Sequence, residues 1–328
     1  MMLLAVALTA RAFSFSATAP TGQTLYFDVT SAGAVSVVNP DWDYYATPNG
    51  DLEIPATVSN NGSTYTVTAI GQRAFRMCTG LTSVVVPQSV HSIGTLAFFG
   101  CTALEAIELP STIDSIASEA FNNCGYYNNI SNWVDSSALY VGDYLVRVRT
   151  SQAGAITVRE GTLGIAGMAM YNCHSLSEVT IAQSVRFIGP LVFKDCAVLD
   201  TVHMLSSVPP ALAATAFDGA YRPTVKVPCG SLAAYSGSPN WASQHLVEAR
   251  CPDGIADIDS NAPAIAIDAT GLTVSAAEGL RVSVSDIMGR MVASIAGAAA
   301  VEHIDLPHFG VFVVGIEGYA ARKVVYLK

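Results

Sequence analysis

The chain has 328 residues, room for two domains and a core of ordinary size. Charged residues make up only 13% and the formal net charge is −10. That balance excludes nucleic-acid binding, which needs a basic stripe, and adsorption to anionic lipid.

Residues 1–19, MMLLAVALTARAFSFSATA, have the character of a secretory signal peptide. Met2–Ala10 is the apolar core, and Ala10-Arg11-Ala12 and Ala17-Thr18-Ala19 are two small-residue cleavage sites. No cysteine follows the apolar core, which argues against a lipoprotein anchor. Beyond residue 20 no apolar run is long enough to span a bilayer. Residues 20–64 alternate as strands do and predict an N-terminal β cap, with a hairpin at Asn60-Asn61-Gly62.

From residue 65 a 23-residue unit recurs. Cys78, Cys101 and Cys124 are spaced at 23, as are Cys173 and Cys196. Phe75, Phe98, Phe121 and Phe193 stand three residues before a cysteine, with Met170 in the same slot. Ile70, Ile93, Ile116, Ile165 and Ile188 stand five residues before that slot. The copies reduce to C-x-x-L-x-x-V-x-(V/I/L)-(P/A)-x-S-(V/I)-x-x-I-G-x-x-A-F. Such a period marks a stacked array, because one copy is too small to bury its own apolar face. The L-x-x-V-x-I stretch predicts a short strand with one buried face, and the following Pro ends it. Val90 and Ile93 lie on the return path, and Gly94 and Gly189 suit a tight corner. The A-F pair fills the interior.

The stretch from Cys124 to Cys173 exceeds one period by 26 residues. This insert, near 125–161, predicts strands over Ala138–Arg149 and Ala155–Arg159 around a turn at Ser151–Gly154. The solenoid with its insert and a C-terminal cap, TVKVPCGSLAAYSGSPNWASQHLVEARC, occupies residues 65–250. Cys78, Cys101, Cys124, Cys173 and Cys196 share one slot and form a ladder of buried thiols, since side chains in register point the same way. Cys229 and Cys251 break the pattern; a bridge between them would close a loop of about 20 residues and contribute about 3 kcal/mol. Spacing alone leaves that pairing open.

Residues 251–262 form a linker rich in Pro, Gly, Asp and Asn. Its Asp253, Asp257 and Asp259 do not fit the EF-hand spacing, so no metal is expected. Residues 263–328 contain seven short strand patterns and predict a small β-sandwich. The fold class is therefore mainly β: a solenoid of short parallel strands followed by a sandwich.

The six histidines, at 91, 174, 203, 245, 303 and 308, show no metal-ligand spacing, and no nucleophile elbow or phosphate-binding glycine loop is present. No catalytic residue, cofactor or metal is expected; an enzyme would need a pocket in the insert. Glu105 and Glu108 lie on one strand and belong to a solvated face. The outward strand positions give the binding surface instead: Ser83 and Val85, Glu105 and Glu108, Glu178 and Thr180, Asp200 and His203, together with Thr82, Ala106, Ser177 and Thr201.

The SIG..AF..C..L..V.(I/V)P.SV units resemble the BspA-type leucine-rich repeats of bacterial surface and secreted proteins. The segment Val282-Ser283-Val284-Ser285-Asp286 with Met288-Gly289-Arg290, then Leu306-Pro307-His308-Phe309-Gly310-Val311-Phe312 and Arg322-Lys323-Val324-Val325, resembles the C-terminal sorting domain of type IX secretion cargo. These resemblances imply export to the outer surface of a Gram-negative bacterium. They imply adhesion to a host or neighbouring-cell protein or glycan, and recognition by the type IX machinery. The alternative is a structural surface-layer component without a specific ligand.

Overall fold

The computed structural model describes residues 13–40, 48–249, 263–267, 271–275, 278–286, 289–296, 298, 301–306, 310–317 and 322–326. They fall into two units, Met1–Arg250 and Cys251–Lys328. The linker with its three aspartates, Cys251 and His308 lie outside the described residues.

The first unit starts with an antiparallel meander, Phe15–Thr18, Thr24–Ser31 and Ala34–Val38. Alternation places Leu25, Phe27, Val35 and Val37 inward, and all four are buried. Ala34–Val38 then pairs in parallel with Ser63–Ile70. That strand forms the expected hairpin with Thr57–Asn60, where Asn61 and Gly62 supply the positive φ values (49° and 81°) of a two-residue turn.

Ile70 is the first rung of the solenoid. Each coil contributes to two parallel ribbons. The inner-corner ribbon consists of two-residue strands, Ser92–Ile93 and Ser115–Ile116, then Gly164–Ile165, Phe187–Ile188 and Ala211–Leu212. Its register sets Ile70 against Ile93 and Ile116, and Ile165 against Ile188 and Leu212. The second ribbon holds the longer strands. Gly50–Glu53, Leu81–Val85 and Ala106–Glu108 make one sheet. Gly154–Thr157, Leu176–Ile181, Thr201–Met204, Thr224–Val227 and His245–Glu248 make another.

The aromatic column is stacked as its spacing requires. Phe75 and Phe98 lie 5.1 Å apart, Phe98 and Phe121 5.5 Å, and Phe193 and Phe217 4.7 Å, all near-parallel. Beside it the five repeat cysteines are buried thiols outside any disulfide. Cys101 Sγ donates to Phe75 O (2.9 Å) and Cys196 Sγ to Met170 O (3.1 Å), so each thiol is tied to the preceding coil. Cys229 is disulfide-bonded.

Gly94 and Gly189 have a different role from the corner expected of them. Neither adopts a positive φ. A Cβ on Gly94 would stand 2.5 Å from Gln72 N, and one on Gly189 2.5 Å from Gly167 N. The slot is glycine because adjacent coils touch backbone to backbone there. The left-handed residues of the coils lie elsewhere: two positions before the aromatic slot, at Arg73, Leu96, Glu119, Met168 and Leu191, and two positions after it, at Met77, Gly100, Asn123, Asn172, Asp195 and Gly219.

The insert departs from its expected layout. Its hairpin joins Ala138–Val141 to Tyr144–Val148 through Gly142-Asp143, with Gly142 at φ 56°, and Trp133–Val134 adds a third strand. A two-residue Gly-Asp loop is a stronger hairpin signal than the longer Ser151–Gly154 segment. Gly154–Thr157 is not a hairpin arm; it pairs in parallel with Leu176–Ile181 and begins the second ribbon again. Ala166 N donates to Leu145 O and Gly167 N to Ile116 O, so the next coil grips both the hairpin and the coil before it.

The C-terminal cap closes the core with two aromatics. Tyr235, on the helix Leu232–Ser236, and Trp241 are fully buried with their rings 5.1 Å apart. Tyr235 Oη donates to Ser206 O (2.8 Å) and Trp241 Nε1 to Pro210 O (2.7 Å), which satisfies both polar tips inside the cap.

The second unit shows all seven expected strands in two sheets. One holds Ala264–Ile267, Leu272–Ser275 and Val301–Ile304; the other holds Met291–Ile295, Val282–Asp286, Gly310–Ile316 and Arg322–Tyr326. Leu272, Val274 and Ile304 of the first and Val282, Val284, Phe312 and Val314 of the second share one core. Asp286 accepts from Arg290 N (2.9 Å) and Arg290 Nε (2.7 Å), which fixes the turn between its strands.

Candidate functional site

In Leu81–Val85 the pleat turns Val84 inward between the outward Ser83 and Val85, and Leu81 is buried as well because the register shifts by one residue at Thr82. Register carries that choice across the sheet. One row reads Asp51, Ser83, Ala106; the next reads Glu53, Val85, Glu108. Glu105 stands just before its strand, held by Glu105 N donating to Thr82 O (3.0 Å). Asp51, Glu53, Glu105 and Glu108 are all exposed, and no basic residue shares their rows. Asp51 accepts from Ser83 Oγ (2.6 Å) and Thr82 Oγ1 (2.8 Å). Those two hydroxyls, Ser83 first, hold its carboxyl below the usual aspartate range.

The other four expected residues lie on the second sheet. One row reads Ala155, Glu178, Thr201, Thr224, His245, and the next Thr157, Thr180, His203, Lys226, Val247. Glu178 Oε1 lies 2.7 Å from His203 Nε2, a cross-strand diagonal pair. Asp200 is exposed ahead of its strand and accepts from Thr201 Oγ1 (3.0 Å). Thr201, expected on the outer face, is buried in the row between Glu178 and Thr224.

The expected residues thus fall on two separate sheets, Ser83, Val85, Glu105 and Glu108 on one and Glu178, Thr180, Asp200 and His203 on the other. The insert stands between them in the chain. The first sheet is acidic throughout; the second mixes acid, imidazole and the ammonium of Lys226.

The BspA type leucine-rich repeat profile matches residues 58–146 and 148–228 in six copies, more than half of the chain. The chain belongs to the BspA-type leucine-rich repeat family. Residues 255–326 match a domain of unknown function, DUF6383. No curated protein matches. Among solved structures it is similar to a leucine-rich repeat protein of T. pallidum (23% identity, 64% of this chain and 87% of that one, TM-score 0.30). A leucine-rich repeat protein from Bacteroides capillosus (26%, 55% and 93%, 0.26) and a leucine rich cell surface protein from Faecalibacterium prausnitzii (16%, 74% and 97%, 0.29) are also similar.

Three residues of the BspA-type ribbons are additions to those read from sequence: Asp51, Glu53 and Lys226. A signal for the first two was present. Leu52-Glu53-Ile54-Pro55 repeats the pattern of Ile107-Glu108-Leu109-Pro110, so the cap carries a strand of the repeat type. Lys226 lies in Val225-Lys226-Val227-Pro228, another such copy.

Proposed function

We propose that this BspA-type protein is exported, displayed on the cell surface or released, and mediates adhesion through the outward face of its long-strand ribbons. The observation that carries the reading is the first sheet. Four exposed carboxylates flank an exposed apolar side chain, Val85, and no cation neutralises them within the rows. A flat acidic strip with an apolar centre suits a basic segment of a partner protein, steered by charge and seated by contact. The mixed second sheet, with Thr180, His203 and Asp200, offers neutral and charged hydrogen-bonding groups to a glycan. Residues 255–326 act in this reading as the type IX sorting signal, and the protein performs no catalysis.

Signal cleavage after Ala12 fits this export route better than cleavage after Ala19. Phe15–Thr18 is a paired strand, and Phe15 is buried against Phe27 and Tyr65, with ring centroids 5.6 and 5.4 Å away. Removing residues through 19 would strip an edge strand from the cap. Mass spectrometry of the exported protein is expected to find Phe13 first; Pro20 would overturn this.

The adhesion reading is tested with immobilised matrix proteins and glycans against the exported chain and its Glu105→Lys/Glu108→Lys and Glu178→Lys variants. Binding to a basic protein that weakens with salt and vanishes in the double variant supports the first sheet as the site. Equal binding by all three proteins would move the site elsewhere. Self-association with no ligand would favour the surface-layer role.

A further inference from the structure

The insert carries an open pocket of about 430 Å³ that no part of the ribbon surface uses. Its lining falls into three kinds of group: the rings of Tyr127 and Trp133, the guanidinium groups of Arg147 and Arg149, and the neutral polar side chains of Asn128, Thr150 and Ser151. The rings are fixed. Trp133 Nε1 donates to Tyr127 O (2.9 Å), and the two rings meet edge to face at 5.5 Å. Arg149 lies over Trp133, with its guanidinium carbon 4.4 Å from the ring centroid. Its Nε is buried and has no hydrogen-bond partner. Arg147 donates to Met168 O (2.8 Å) and Tyr171 O (3.4 Å), which orients the group without neutralising it. Among the described residues no carboxylate oxygen lies within 4.0 Å of either guanidinium. On a chain of net charge −10, two adjacent unneutralised cations beside a pocket are unexpected for a solvated surface.

We infer that this pocket is a binding site for a sugar ring bearing a carboxylate, separate from the acidic ribbon and independent of its role. A planar guanidinium fork matches a carboxylate in shape and charge. The ring of Tyr127, whose π face attracts C–H groups, suits the C–H face of a sugar, and the amide and hydroxyls of Asn128, Thr150 and Ser151 suit its hydroxyl groups. The volume lies in the range of small-ligand sites and admits one or two rings. An acidic ribbon would repel such a ligand, so the two surfaces sort partners by opposite charge.

The test is calorimetric titration of the full chain with glucuronic acid, N-acetylneuraminic acid, glucose and a short glutamate peptide. Both acids, or one of them, are expected to bind while glucose does not; the tighter acid tells a uronic polysaccharide from a sialylated glycan as the source. Arg149→Gln is expected to weaken binding by roughly tenfold or more, as loss of one charged hydrogen-bonding group does. Its thermal melt shows whether the fold is intact. If it is disturbed, Arg149→Lys keeps the charge, loses the fork and is expected to weaken binding as well. Glucose or the peptide binding as tightly as the acids would overturn the inference. So would no binding of either acid at about 10 mM, or unchanged affinity in a folded Arg149 variant.

Discussion

Truncating the central ring of the aromatic column tests the packing argument most directly. Phe98 is fully buried and sandwiched, with Phe75 at 5.1 Å on one side and Phe121 at 5.5 Å on the other. Phe98→Ala removes the transfer contribution of a buried aromatic and leaves a cavity whose walls belong to two hydrogen-bonded coils. Phe98 N donates to Ala120 O (2.7 Å) and Phe75 N to Ala97 O (2.8 Å), so neither coil can close on the gap. The expected cost is about 3–5 kcal/mol, near the upper end because two ring pairs are lost together. Phe121→Ala is the internal control. Its ring has one neighbour in the column, because the insert interrupts the stack after it, and its cost is expected to be lower by about 0.5–1.5 kcal/mol. Urea denaturation followed by far-UV circular dichroism measures both, with the change in midpoint as the readout. A loss under about 1 kcal/mol for Phe98→Ala, or equal losses for the two variants, would refute the idea of a rigid shared column.

Three further outcomes follow from the same structure. Burial pushes Cys124 and Cys173 up to about 12 and Cys196 to about 11, against an unperturbed 9.0. The unfolded chain releases these protons first, so stability is full below pH 9 and falls as pH rises, toward 12 for Cys124 and Cys173 and toward 11 for Cys196; each thiol weakens folding roughly tenfold per pH unit within its own window. Alkaline denaturation that moves to higher pH in a Cys124→Ala/Cys196→Ala variant is the check. Gly94→Ala forces a Cβ against Gln72 N at 2.5 Å and is expected to cost about 1–3 kcal/mol by overpacking, read as a lowered melting temperature. Asp286→Ala in the sandwich removes the two hydrogen bonds from Arg290 and is expected to cost about 1.5–3 kcal/mol. Its loss should appear in the melting of the second unit and leave that of the repeat unit unchanged.

The solenoid was legible because its period is written in residues with no other use. Phe, Cys and Ile recur in fixed slots, and one slot is one column. The hairpin at Asn61-Gly62 was equally plain, since few residue pairs tolerate its φ values. Other features were not legible for physical reasons. The turn of the insert's hairpin is hard to read because Gly142-Asp143 lies inside an apolar run that a single strand also explains. The role of Gly94 depends on what the neighbouring coil places opposite it, which spacing does not reveal. Among the ribbon residues, Ser83, Val85 and Glu108 follow from the pleat, and Glu105 stands exposed just before its strand. Their grouping with Asp51 and Glu53, apart from Glu178 and His203, follows from the sheet partners and is a tertiary fact.

In the proposed adhesion role, the interruption at the insert would also set valency. Three strands at about 4.8 Å spacing give a first strip of roughly 10 Å, and five give a second of roughly 19 Å. Neither accommodates a long rigid fibre lying along the stack. Two short, chemically different strips on one unit reward a ligand with two epitopes joined by a flexible tether, because the second contact then forms at high effective concentration. If the strips bind as proposed, weak individual contacts would add to strong attachment, and cutting the tether would release the ligand without changing either contact.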